Sequence, residues 1–120
     1  MAALPARGSV ALTVPLTDAL EGITIARTRK FPKNSRYYES LKDVPAPNPS
    51  EATTLKDALM GWTINVAAQF GREDITGSIE PGKSAELVVL DGDIENTAPE
   101  DICLMKVKET VFKGESVYSC

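Results

Sequence analysis

The chain has 120 residues, 42% of them hydrophobic and 25% charged, with a formal net charge of −4. That is the composition of one globular domain and excludes a disordered tail; a domain of this length buries roughly two thirds of its unfolded surface. The acidic balance argues against a nucleic-acid partner, which normally leaves a basic face, and no apolar run approaches the roughly 20 residues that span a bilayer.

The most restrictive count is histidine, of which there is none. Catalytic zinc sites, general bases working near neutral pH, and Ser/His or Cys/His nucleophile pairs mostly depend on an imidazole. A site made of carboxylates alone is the main chemistry left. The two cysteines, Cys103 and Cys120, make a poor disulfide framework. Residues 1–7 lack the charged n-region and long apolar h-region of a signal peptide. A reduced, cytoplasmic protein is the expectation.

In chain order, apolar residues recur at helical spacing at Leu16, Leu20, Ile23 and Ala26, which predicts a helix over residues 16 to about 30. Asp18 and Glu21 near its start and Arg27, Arg29 and Lys30 at its end complement the helix dipole. The basic cluster, which Lys33 extends, reads first as a helix C-terminus and second as an anion-binding patch. Residues 31–53 carry Pro32, Pro45, Pro47 and Pro49, so they are expected to run as a long surface connection with one helical turn over residues 37–41.

Thr54 then opens a capping-box variant, with Asp57 three residues on. Leu55, Ala58, Leu59, Trp62, Val66, Ala67 and Phe70 form an apolar stripe that predicts one helix, with Trp62 as a core anchor and Gly71 as its stop. Gly77 and the Pro81-Gly82 pair mark a turn-rich loop, which feeds a short apolar strand over residues 86–90. A polar, acidic stretch over residues 91–101 leads to a strand over about residues 104–112. Lys113-Gly114 is a two-residue turn that returns the chain along residues 115–118.

Two helices and three short strands make an α+β set. Strand 86–90 is apolar throughout, so it calls for cover on both faces and pairing on both edges. The strands read from the chain are too few and too short to make a comfortable sheet by themselves. Among the acidic residues, Asp91-Gly92-Asp93 opens like a calcium loop, but no further oxygen ligands follow at the required spacing, and it reads as a strand-end turn. Glu73-Asp74 and Glu100-Asp101 read as solvated pairs. No glycine-rich phosphate loop is present.

The block Leu55-Lys56-Asp57-Ala58-Leu59, Thr63, Asn65, Ala67-Ala68 leads into Gly77-Ser78-Ile79, Pro81-Gly82-Lys83 and Ala85-Glu86-Leu87-Val88-Val89-Leu90-Asp91. The strands end on Lys113-Gly114 and Val117-Tyr118. With the opening Gly8-Ser9, Val14-Pro15-Leu16 and Leu20-Glu21-Gly22-Ile23, this resembles the C-terminal end of an amidohydrolase-superfamily protein, nearest to the branch called amidohydrolase family 3. The resemblance implies that residues 1–53 correspond to the exit from the last strand of a TIM barrel, a helix and the Pro-rich connection. It implies that residues 54–120 correspond to a helix and the C-terminal strands of a composite β-sandwich.

In that family the barrel performs a metal-assisted attack of water on a C–N or related bond. A divalent metal such as zinc is therefore implied for a complete member. Its ligands are histidines, often a bridging lysine or glutamate, and an aspartate expected directly after Gly8-Ser9, where this chain has Val10. Asp18 as a displaced substitute fails, because a lone carboxylate makes no metal site. The sequence thus assigns no catalytic residue and no metal ligand, and substrate-binding residues are unknown. It implies a chain inactive by itself. The alternatives are a binding module that pairs by strand addition, or the completing subunit of a split hydrolase. The implied partners are a second copy or another chain, met through exposed strand edges, with no nucleic acid and no membrane.

Overall fold

The computed structural model describes residues 19–120. The first element, α1 (Ala19–Thr28), buries Leu20, Ile23 and Ala26 at helical spacing. The part of the expected helix before Ala19, with Leu16 and Asp18, lies outside the described residues, as do Gly8, Ser9 and Val10. At the C-terminus the helix stops two residues sooner than expected. Arg29 turns to φ 58° while its N–H still donates to the Ile25 carbonyl at 2.8 Å, and a left-handed residue cannot continue an α-helix.

The Pro-rich connection is irregular. Its one helical turn is α2 (Tyr38–Leu41), and a 3-10 turn follows at Pro49–Glu51. The connection is anchored where Thr53 N–H donates to the Ala26 carbonyl at 2.9 Å. Helix α3 (Leu55–Trp62) then begins with Thr54 capping Asp57 N–H at 3.2 Å, as the capping box requires.

The single helix expected from Thr54 to Phe70 is two helices. The backbone breaks at Thr63 (φ −124°, ψ −96°) before α4 (Ile64–Gln69) resumes. The local chemistry accounts for the break. Gly61 contributes no helical preference, and the Thr63 hydroxyl bonds back to the Leu59 carbonyl at 2.7 Å, a contact that bends helices. Beyond the break the apolar stripe loses its register with the core, and Phe70 is 69% exposed instead of buried. Gly71 does end the helix, in a Schellman arrangement: its N–H donates to Ala68 at 3.0 Å, and that of Arg72 to Ala67 at 2.8 Å.

Three strands form one antiparallel sheet in the order β1 (Leu87–Leu90), β2 (Val107–Phe112), β3 (Glu115–Ser119). The β2–β3 link is the expected two-residue turn, with Lys113 and Gly114 both at positive φ, the type I′ geometry whose twist matches the strands. The strand expected from residue 104 starts at Val107. Pro99–Leu104 is instead a 3-10 segment, and it packs along α1. This segment supplies Ile102, which is fully buried, and Cys103.

The core joins Leu20, Ile23 and Ala26 of α1 to Ala58 of α3 and Ile102, with Leu55, Leu59 and Trp62 packed around them. Contacts between elements run among α1, the 3-10 segment and α3, from α3 to α4, and from strand to strand, so no described helix packs extensively on the sheet. The sheet reaches the core at one end through Leu90, beside Ile94 and Met105 of the connection between β1 and β2. Its register sets Val88, Thr110 and Tyr118 abreast, and paired residues share a face. Val88 is 57% and Tyr118 50% exposed. The architecture is a helical core with a sheet extending from it.

Candidate functional site

The loop between α4 and β1 is tied together by side-chain polar contacts. Glu80, Pro81, Gly82 and Lys83 make a β-turn closed by the Lys83 N–H to Glu80 carbonyl bond at 3.2 Å, with Gly82 at φ 90°, as a type II turn requires. The Lys83 ammonium folds back under the turn. It lies 2.8 Å from the Glu80 carboxylate and 2.7 Å from Ser78 Oγ, and it donates to the Glu73 carbonyl. Lys83 and Ser78 bonds, then the lysine charge, hold the Glu80 carboxyl below its ordinary range. A serine beside a lysine can serve as a nucleophile only if the amine is neutral and can take the proton. Here three acceptors surround Lys83 Nζ, so it acts as a donor, and the group is a loop staple.

Each acidic candidate has a structural partner or stands alone. The Asp91 carboxylate accepts from Lys106 N–H at 3.0 Å. Asp93 accepts from Glu95 N–H at 2.9 Å and from the Asn96 amide at 2.6 Å, which lowers its carboxyl from the usual value, Asn96 foremost. The Asp91-Gly92-Asp93 motif is thus the strand-end turn expected of it. Asp101 meets Lys33, whereas Glu73 contributes only a main-chain carbonyl to the loop. Among the described residues no group of three His, Cys, Asp or Glu side chains converges as a metal site would need. The described residues do not fit a catalytic metal.

The basic cluster divides, with Arg29 turning away from its lysines. Arg29 Nε donates to the Pro47 carbonyl at 3.4 Å, with its guanidinium 3.7 Å from Glu51. Lys30 donates to the Lys42 carbonyl at 3.3 Å. Arg27 lies in the last turn of α1, as the dipole argument expects. Among the described helices none is long and apolar enough to cross a membrane.

The sequence profile of the amidohydrolase family matches residues 14–118. The chain belongs to the amidohydrolase family. Relatives within and around this family share only a limited part of their length with it. A dihydroorotase from Ligilactobacillus salivarius is 43% identical over 65 residues, covering 54% of this chain and 15% of the relative. An N-substituted formamide deformylase from Arthrobacter pascens is 42% identical over 66 residues, covering 55% of this chain and 12% of the relative. YtcJ of Bacillus subtilis, which carries the amidohydrolase name, is 32% identical over 115 residues, covering 96% of this chain and 20% of its own length. Among solved structures, an amidohydrolase from Thermotoga maritima is 35% identical, covering 59% of this chain and 17% of that one, with a TM-score of 0.49. The amidohydrolase resemblance drawn from the loop and strand motifs is therefore correct, and the chain spans between about one eighth and one fifth of the length of these curated relatives.

Proposed function

We propose that this chain is the C-terminal, non-catalytic part of a metal-dependent amidohydrolase that hydrolyses C–N or related bonds, with the metal ligands contributed from outside these 120 residues. The observation that carries the reading is the sheet. Its outer strands β1 and β3 each present an edge that no described strand pairs, and its apolar residues Val88, Val117 and Tyr118 are half-exposed or more. A sheet of this size needs further strands or a covering layer to be stable. In this reading the rest of the enzyme supplies them as a composite β-sandwich. Residues 1–53 correspond to the barrel exit and residues 54–120 to the helix and sandwich strands. The absence of histidine and of a converging acidic group among the described residues supports placing the chemistry elsewhere.

The relatives bear the names of a dihydroorotase, an imidazolonepropionase and a formamide deformylase. A segment common to proteins so differently named supports a shared structural duty over substrate choice. The same open edges favour a second reading, in which the chain completes a split hydrolase or pairs by strand addition with a second copy or another protein. The cytoplasm is the proposed compartment.

Immunoblotting and intact mass measurement of the native product distinguish these readings. A product several times larger than 12.9 kDa is expected for the hydrolase reading, and a native product of that mass moves the assignment to a separate module. Supplied with zinc, the 120-residue chain is expected to hydrolyse none of a panel of cyclic amides and formamides. Metal-dependent turnover by it would overturn the proposal.

A further inference from the structure

We propose that the cavity between the C-terminal end of α1, the α2 turn and the Pro99–Leu104 segment binds a small multivalent oxyanion of the phosphate class. The cavity is about 290 Å³, and three lysines, Lys30, Lys33 and Lys42, reach its wall from different stretches of chain. Sequence spacing hides this grouping, because Lys42 lies twelve residues from Lys30 and outside the basic cluster. Glu100 is the single carboxylate among the described residues of the wall.

The two ion pairs that hold these lysines do not fill the cavity. Lys33 meets Asp101, and Lys42 meets Glu39 at 2.7 Å, yet neither Asp101 nor Glu39 belongs to the wall. Such exposed pairs are weak and exchange readily. An ammonium carries three donors, and one protein acceptor is recorded for each of these side chains, Lys30 using the Lys42 carbonyl at 3.3 Å. Among the described residues no second acceptor meets any of the three, which leaves two donors per lysine for a ligand. The carboxylate partners also raise the pKa of Lys33 and of Lys42 and so favour the charged form, their hydrogen bonds foremost.

The remaining wall suits the same ligand. Tyr38 brings a phenolic O–H donor, and Phe31 an apolar side. Thr24 also belongs to the wall. Its hydroxyl oxygen is closed off from solvent, so it is not among the donors a ligand would meet. A doubly charged, many-oxygen anion accepts from several ammonium donors at once, which chloride cannot match. This site is independent of the hydrolase reading, which rests on the sheet.

Calorimetric titration of the native polypeptide at fixed ionic strength tests the site, with inorganic phosphate and glycerol phosphate as separate probes. Saturable binding is expected for at least one of them. Binding of the ester alone narrows the class to a phosphoryl group carried on a metabolite, and binding of inorganic phosphate alone narrows it to the free ion. The K30Q/K42Q double variant should weaken the affinity at least tenfold. Glu100→Gln, which removes the wall's carboxylate, should tighten it severalfold, a gain that misfolding cannot imitate. Heats matched by chloride at equal ionic strength, or equal affinities in all variants, would overturn the proposal.

Discussion

Trp62 packs its six-membered ring on α1 at Gly22, where a Cβ would stand 2.5 Å from Trp62 Cζ2. The side chain is only half-buried, but it closes one side of the core formed by Leu20, Ile23 and Ala58. Trp62→Ala is expected to cost roughly 3 kcal/mol, the low end for a large aromatic because part of the ring is already wet. Gly22→Ala should cost about 1–3 kcal/mol by overpacking. Because the clash needs the indole, the two losses should not add. A double-mutant cycle by urea unfolding reads this, and additive losses would show that Gly22 matters for another reason. Trp62 was legible as an anchor from its place in an apolar stripe. Ile102 was not, because its neighbours Pro99, Glu100 and Asp101 show no period, and only the fold brings it under α1.

Among the elements, the capped start of α3 and the hairpin turn were readable because each depends on a few adjacent residues whose chemistry is local. The break at Thr63 depends on how a back-bonded hydroxyl, a glycine and the packing of α4 combine, which a continuous apolar stripe conceals. The Glu80–Lys83 turn offers the clearest test at this scale. Its Glu80 carboxyl is depressed from the ordinary value of 4.5 by the Lys83 and Ser78 hydrogen bonds and the lysine charge. A group whose folded pKa is lowered stabilises the fold above its unfolded value, and that contribution disappears as pH falls through the folded pKa. The loop should therefore loosen on acidification below about pH 4.5, as Glu80 takes up its proton. Carboxyl chemical shifts should report a midpoint below 4.5 for Glu80. Lys83→Met should move that midpoint upward, and an unmoved midpoint would refute the staple.

At the scale of the whole molecule, the helical core and the sheet are unequal. The core is closed by residues from α1, α3 and the 3-10 segment, while the sheet exposes apolar residues on β1 and β3. The sequence already indicated this shortfall, since Leu87 to Leu90 are apolar on both faces and the strands it offers are too few to cover and pair them fully. It could not indicate that, among the described strand residues, Leu90 alone would pack against the core. The isolated 120-residue chain is accordingly expected to associate as its concentration rises. Lysines at Val88 and Tyr118 should shift sedimentation toward the monomer, since charges on an edge strand oppose pairing. Unchanged sedimentation in the V88K/Y118K variant would place the contact on some other surface.

The two thiols differ in a way that governs how such association is measured. Cys103 is buried, with its Sγ 3.4 Å from the Glu100 carbonyl, whereas Cys120 is exposed directly beyond β3. Air oxidation during purification would join two chains through Cys120 and leave Cys103 untouched. The covalent dimer would have the mass of a strand-paired one and would survive dilution. Sizing in reductant, or with Cys120→Ser, separates a handling artefact from true edge pairing.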